Sequence, residues 1–259
     1  MNIENNKTSL SVIIISQDEE ASIEDCLQSV KWADEIVVVD SGSADKTIEI
    51  CQSYRAKFSS QTNWLGFGVQ KNRALALASG KWILSIDADE RVTPELQKEI
   101  LEIIKNQPAN TAFYIPRKSS YCGKFIHNSG WTPDYVLRLF PKQNAKFTDD
   151  LVHERVVFDG VIKKLKHPLL HLSYTSLEEV LEKTNRYSSD GAQMMRQRGK
   201  KSSLSKAIFH GFWAFFRTYI IKLGFLDGRM GLILAISNAE TTYYRYLKLM
   251  MLSDNKNKN

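Results

Sequence analysis

Cysteine is scarce in this 259-residue chain: Cys26, Cys51 and Cys122 are odd in number and lack CxxC spacing. Neither a disulfide framework nor a thiolate zinc site is indicated, and a reducing compartment is expected. The glycine-rich phosphate signatures GxGxxG and GxxxxGK[ST] are also missing, which removes the main support for a dinucleotide oxidoreductase or a P-loop enzyme. Long apolar runs are absent near the start. MNIENNKTSL has no basic n-region, and the run from Leu10 to Ile15 is too short for a signal core or a membrane span, so no export is expected. No internal repeat occurs, and the polar tail SDNKNKN is expected to fray.

The chain is nevertheless rich enough in hydrophobic residues, at 43%, to bury a sizeable core. Its formal charge of +6 is unevenly spread. Residues 1–160 carry 18 Lys+Arg against 22 Asp+Glu, whereas residues 161–259 carry 17 against 7. An acidic half and a basic half imply two kinds of partner.

The first hundred residues alternate strand and helix signals. LSVIII (10–15) is a β-branched run of the kind buried on both faces of a parallel sheet, followed by a helical stretch with Ile23, Leu27 and Val30 on one side. EIVVVD (35–40) repeats the strand. Ser41-Gly42-Ser43 makes a turn, with Ser43 expected as the N-cap of a helix that turns Ile48 and Cys51 inward. AKFSS is a weak third strand; Gly66 to Gly68 lead into a helix stopped by Gly80; KWILSI (81–86) ends at Asp87; and Thr93-Pro94-Glu95 opens a fourth helix. From about 111 the pattern becomes short strands (AFYIP, YVLRLF, RVVF), expected as antiparallel additions to one edge, and from about 175 it is helical. The expected fold is α/β, a mostly parallel sheet with helices on both faces, over 1–174, with a basic helical extension over 175–259.

Ligands bind such sheets at the carboxyl ends of the strands. Here those ends carry Ser16-Gln17-Asp18-Glu19, Asp40-Ser41 and Asp87-Ala88-Asp89-Glu90, all polar or acidic. Asp87 and Asp89 are two carboxylates just past a buried strand, able to hold Mg²⁺ or Mn²⁺ together with a substrate diphosphate, unless they are solvated turn residues. Asp40 suits an acceptor for a base or ribose, or an N-cap-like role. Lys71 suits a phosphate contact, or a surface position.

The order SVIII-SQDEE, EIVVVDSGSADKT and GFGVQKNRALALASGKWILSIDADE resembles the nucleotide-sugar domain of family 2 glycosyltransferases, the inverting GT-A fold group. Trp64-x-Gly66-Phe67-Gly68-x-Gln70-Lys71-Asn72, Val136 to Phe140, Leu151-Val152-His153-Glu154 and Leu226-Asp227-Gly228-Arg229-x-Gly231 are similar, more narrowly, to lipopolysaccharide core β-1,4-glucosyltransferases. Gln17-Asp18 stands where Asn-Glu is commoner in that group, and Lys71 where many members have Arg. The resemblance implies a UDP-sugar donor bound through Ser16, Asp18, Asp40, Lys71 and Asp87, with Asp40 on the uridine, Asp87 on the nucleotide and Asp89 on a divalent cation, Mn²⁺ or Mg²⁺. It also implies a carboxylate base for an in-line displacement at the anomeric carbon.

Asp149, Asp150 and Glu154 are the base candidates. Glu154 matches the family motif and Asp150 is the runner-up; His153 would ligate the metal or bond the acceptor. The bland alternative pairs Glu154 with Arg155 or Arg138. Arg138 itself either points to the crevice or is a salt-bridged sheet arginine.

Residues 203–226 are aromatic and aliphatic yet contain His210, Arg217 and Lys222. At helical spacing Ser203, Lys206, His210, Arg217, Thr218, Lys222 and Gly224 form one stripe on an otherwise apolar element. Such a helix, with the basic cluster Arg196, Arg198, Lys200, Lys201 and Lys206, suits an anionic membrane surface, or packing on the catalytic domain or a dimer partner. Nucleic acid is the competing partner for these cations, but no binding motif appears and the acidic strand ends would be unexplained, so none is expected. The resulting expectation is a peripheral enzyme on the cytoplasmic face of the inner membrane. It would transfer a hexose, glucose from UDP-glucose, to the heptose region of a lipid-anchored lipopolysaccharide core, or, alternatively, sugar to polyprenyl phosphate.

Overall fold

The computed structural model describes residues 9–106, 108, 110–149 and 154–254. They fall into two compact units, the first made of the described residues up to Arg117 with those of Asp134–His171, the second of Lys118–Pro133 with the described residues from Leu172 on. The first unit begins with β1 (Leu10–Ser16), α1 (Ile23–Val30), β2 (Glu35–Asp40), α2 (Thr47–Ser53), β3 (Lys57–Ser60), α3 (Phe67–Leu77), β4 (Trp82–Ser85), β5 (Glu90–Val92) and α4 (Pro94–Asn106). Then come β6 (Thr111–Tyr121), β7 (Lys124–Phe125), β8 (Asp134–Pro141), β9 (Ala145–Phe147), β10 (Val156–Phe158), β11 (Val161–Lys164) and β12 (Leu169–Tyr174). The chain closes with α5 (Leu177–Gln197), α6 (Leu204–Phe216) and α7 (Gly228–Asp254).

The sheet order is β3-β2-β1-β4-β8-β6-β12-β5. Strands β3, β2, β1 and β4 run parallel, and β8 then joins β4 antiparallel. This is the GT-A-like arrangement, with β8 and β6 (YVLRLF and AFYIP) added antiparallel at the β4 edge as expected. RVVF does not join it, since β10 pairs with β9 in a separate two-stranded sheet, and β11 pairs with β6 in parallel. β1 explains why the sheet needs two helical layers. Val12 and Ile14 enter one core with Ile23, Leu27 and Val30 of α1 and Leu96 and Ile100 of α4, while Ile13 enters the other with Ala74 and Leu75 of α3. Alternation at period two sends successive β-branched residues to opposite faces, each burial contributing roughly 1.5–3 kcal/mol.

Local capping differs from expectation at one turn. Ser43 does not cap α2; its hydroxyl donates to Asp40 and accepts from the Asp18 N–H at 2.9 Å. The N-cap is Lys46, whose side chain makes no capping bond, and Asp45 just before it accepts the Thr47 N–H at 3.0 Å. The proline-led start of α4 is as expected, with Thr93 Oγ1 accepting the Leu96 N–H at 3.2 Å. Helix α3 ends at Leu77, ahead of Gly80.

In the second unit Tyr121, Ile126, Val180 and Leu234 form the apolar cluster. The stretch 203–226 is not one continuous amphipathic helix. Helix α6 ends at Phe216, a widened turn covers Arg217–Ile221, and Leu223 adopts a left-handed φ of 55° before the chain re-enters α7. Asp227 helps fix this break by accepting the N–H groups of His127 and Asn128, each at 3.0 Å. Nor is the polar stripe a uniform outer face: Thr218 is buried, and His210 stacks on Tyr246 with ring centroids 4.0 Å apart. Among the described residues, no helix is long and apolar enough to cross a membrane.

Candidate active site

The β1 and β2 ends are stitched to each other. Asp40 is fully buried, and its Oδ2 accepts the N–H groups of Gly42 at 2.8 Å and Ser43 at 2.9 Å. Its Oδ1 accepts from the Ser16 hydroxyl at 3.1 Å and from the Ser43 hydroxyl. Four donors fill the lone pairs of a carboxylate. Asp40 thus shapes the turn after β2 from within, and Ser16 is one of its donors. Asp18 crosses the same gap, accepting the Ala44 N–H at 2.8 Å, while the Glu19 N–H donates to Thr47 Oγ1 at 2.8 Å.

The β4 end holds a charge network that the sequence foreshadowed only in pieces. Lys71 is buried, contrary to a surface lysine, and its ammonium lies 2.9 Å from Asp87 Oδ1 and 2.6 Å from Glu154 Oε1. The cation beside Glu154 is therefore Lys71, not Arg155 or Arg138. Arg138 bonds the other oxygen of Asp87 and reaches Glu90 Oε1 at 2.9 Å, so it is a salt-bridged arginine located at the site. Arg117 extends the chain, 3.5 Å from Glu90 and 2.7 Å from Asp134.

Burial alone would raise the Asp87 carboxyl, but Arg138 and then Lys71 outweigh it and hold the group well below the usual carboxylate range. Glu90 shifts the other way. Burial, aided by the Asp87 charge, pushes it up against the pull of Arg138. Burial works against the Arg138 guanidinium charge, yet the two carboxylates raise its pKa further. Asp87 is thereby a fixed anion and Arg138 a fixed cation.

Asp89 does not join Asp87. Its Oδ2 lies 3.1 Å from Nε2 of His171 on β12, which is held beside the strand end because His171 pairs with Glu90 in register. A partly exposed carboxylate oxygen next to an imidazole nitrogen is a donor pair that fits a divalent cation whose remaining positions go to phosphate and water. Among the described residues no cluster of three or more His, Cys, Asp or Glu could hold a metal by itself.

One face of α3 assembles the remainder. Gly68, Lys71 and Asn72 lie at helical neighbour spacing. A Cβ on Gly68 would fall 1.7 Å from the Thr148 carbonyl oxygen, so only glycine allows this approach. Asn72 pins Phe147 with two hydrogen bonds of 2.9 Å, and Asn72 Nδ2 is 3.4 Å from Asp149. The helix thus grips the chain at 147–149 and again at Glu154. Asp150 and His153, expected as alternative base and metal ligand, lie outside the described residues.

The sequence does not point to Arg117, Asp134 or His171, and it names Glu90 and Asn72 only within longer motifs, with no role of their own. Glu90 stands beside the Asp-x-Asp pair, and His171 carries a signal in LLHLSY (169–174), where His171 and Ser173 alternate with leucines.

Four parallel strands without a phosphate-binding glycine loop, with Asp87 and Arg138 at the β4 end beside the buried Lys71 of α3, suit a transferase that acts on a charged donor. The chain belongs to glycosyl transferase family 2, which matches residues 11–166, and it is a glycosyltransferase. It is 34% identical to an uncharacterized glycosyltransferase of Rickettsia bellii, covering 94% of this chain and 87% of that one. It is 30% identical to the lipopolysaccharide core biosynthesis glycosyltransferase LpsC of Rhizobium meliloti, covering 93% and 94%. A solved structure, Staphylococcus aureus TarS 1–349 with UDP-GlcNAc, is similar at 16% identity and a TM-score of 0.49, over 96% of this chain and 92% of that one.

Proposed function

We propose that this glycosyltransferase transfers a hexose, glucose from UDP-glucose, with inversion, to the heptose region of a lipopolysaccharide core. The Lys71 bridge between Asp87 and Glu154 carries the reading, because it joins the strand end suited to a nucleotide with the carboxylate suited to an acceptor. The name of the LpsC relative supports the substrate class.

In this mechanism the turn shaped by Asp40 receives the uridine, and Asp18 and Ser16 act by holding that turn. Asp89 and His171 would hold a divalent cation, Mn²⁺ being better suited than Mg²⁺ to an imidazole ligand. When bound, the cation supplies charge neutralisation to the diphosphate. Glu154 takes the proton of the acceptor hydroxyl on Oε2, since Oε1 is engaged by Lys71. The acceptor oxygen forms its bond to the anomeric carbon as the bond from that carbon to the diphosphate oxygen breaks, its electron pair leaving with UDP. A second carboxylic acid is not required, because the leaving group is already an acid.

The test is transfer from labelled UDP-glucose to purified core lipopolysaccharide truncated after its heptoses, with a polyprenyl phosphate acceptor in parallel. Label on the core acceptor supports the proposal. Label on polyprenyl phosphate alone, or on neither, contradicts it.

A further inference from the structure

Helix α6 carries its side chains in the opposite sense from a core helix. Its buried positions are small, Ala207 and Gly211, and a Cβ on Gly211 would lie 3.1 Å from Tyr243 of α7. Its large apolar side chains face outward: Phe209 is 63% exposed, Phe212 67% and Trp213 46%. Ile208 continues this surface on the helix and Leu226 beyond its end, both exposed. Apolar surface of this kind marks an interaction site.

The charge around it selects the partner. Between Asp190 and Asp227 the chain has no Asp or Glu and seven Lys and Arg, four of them in the exposed run Arg196–Lys201 just before α6. Lys206, Arg217 and Lys222 are exposed as well. A second copy of the same face would bring like charges together, and none of the described helices spans a bilayer. Aromatic side chains flanked by cations match the boundary between headgroups and acyl chains.

We propose that the outward face of α6 docks on an anionic lipid bilayer, with Phe209, Phe212 and Trp213 entering the acyl boundary and the flanking lysines and arginines meeting lipid phosphates. Docking there is interfacial and concerns where the enzyme sits, independent of donor and acceptor.

The experiment is flotation of the full chain with phosphatidylcholine vesicles, with and without phosphatidylglycerol, at low and physiological salt. Binding is expected only with the anionic vesicles and is weakened by salt. Phe212→Glu, at an exposed position, should lower binding about tenfold or more while the melting temperature stays that of the wild type. Brominated acyl chains should quench fluorescence in the wild type, and Trp213→Phe should remove that quenching; this readout needs no charge-changing variant. Absence of flotation, undiminished binding by Phe212→Glu, or quenching unaffected by Trp213→Phe would overturn the proposal. So would self-association in buffer that Phe212→Glu abolishes, since the face would then be covered by a second copy.

Discussion

The Lys71 ammonium donates to Glu154 Oε1 at 2.6 Å, across 83 residues of sequence. The same nitrogen holds Asp87 at 2.9 Å. A buried cation between two carboxylates keeps each of them in place and ties helix α3 to the β4 end and to the chain before β10. The order of the site thus depends on a residue that the reaction need not consume.

Glu154→Gln keeps the shape and hydrogen bonding to Lys71 but cannot accept a proton. Steady-state kinetics should show kcat lowered by about 10²–10⁴-fold with little change in KM for the donor. Unchanged kcat, or an equal loss confined to Asp150→Asn, would place the base elsewhere.

Asp89→Asn and His171→Ala should each weaken Mn²⁺-dependent nucleotide binding by about 10–100-fold, on the scale of losing one ligand or its support. Calorimetric titration of UDP at fixed Mn²⁺ measures this. A His171→Ala protein that binds UDP and Mn²⁺ as the wild type does would remove the imidazole from the site.

Asp87, with its native pKa held below the ordinary value, stabilises the fold above the unfolded pKa of about 3.9 and ceases to do so as pH falls through the native value. The urea midpoint of Asp87→Asn should accordingly fall below that of the wild type from pH 5 to pH 7, and the gap should narrow in more acid solution. Glu90, shifted upward, works in the opposite direction, and Glu90→Gln separates its part. A gap that widens on acidification would contradict the assignment.

Gly68→Ala places a methyl group where the Thr148 carbonyl stands. Overpacking against backbone should cost about 2 kcal/mol or more in denaturant unfolding and lower transfer, because the 147–149 segment is displaced from Asn72. Gly199→Ala is the comparison: that glycine has open space around it, so any loss there reflects its φ of 70° alone.

Much of the first unit was legible because its signals are local. The β-branched runs of β1 and β2, the four-residue spacing in α1 and the Thr93-Pro94 start of α4 specify their elements without help from distant residues. The site was legible at Asp87 and Lys71, whose positions follow from where a strand ends and a helix begins. It was not legible at Glu90, Arg117 and Asp134, because a buried ion network is set by which strands become neighbours, and β8 reaches β4 only through an antiparallel addition. Asp89 and His171 show the same limit, since register between β12 and β5 brings them within 3.1 Å. In the second unit, helical periodicity found α6 but not its end. Leu223 leaves the helix through a left-handed conformation, and Asp227 just beyond it bonds His127 and Asn128, about a hundred residues earlier.

We propose that the β4 end binds a UDP-sugar with a divalent cation through Asp89. Thermal unfolding of the wild type and Asp89→Asn in a panel of nucleotide sugars, with and without Mn²⁺, tests it most directly. A rise in melting temperature is expected for a UDP-hexose, requiring Mn²⁺ and disappearing in Asp89→Asn. A rise of equal size without Mn²⁺, its persistence in Asp89→Asn, or no rise with any UDP-sugar would contradict it.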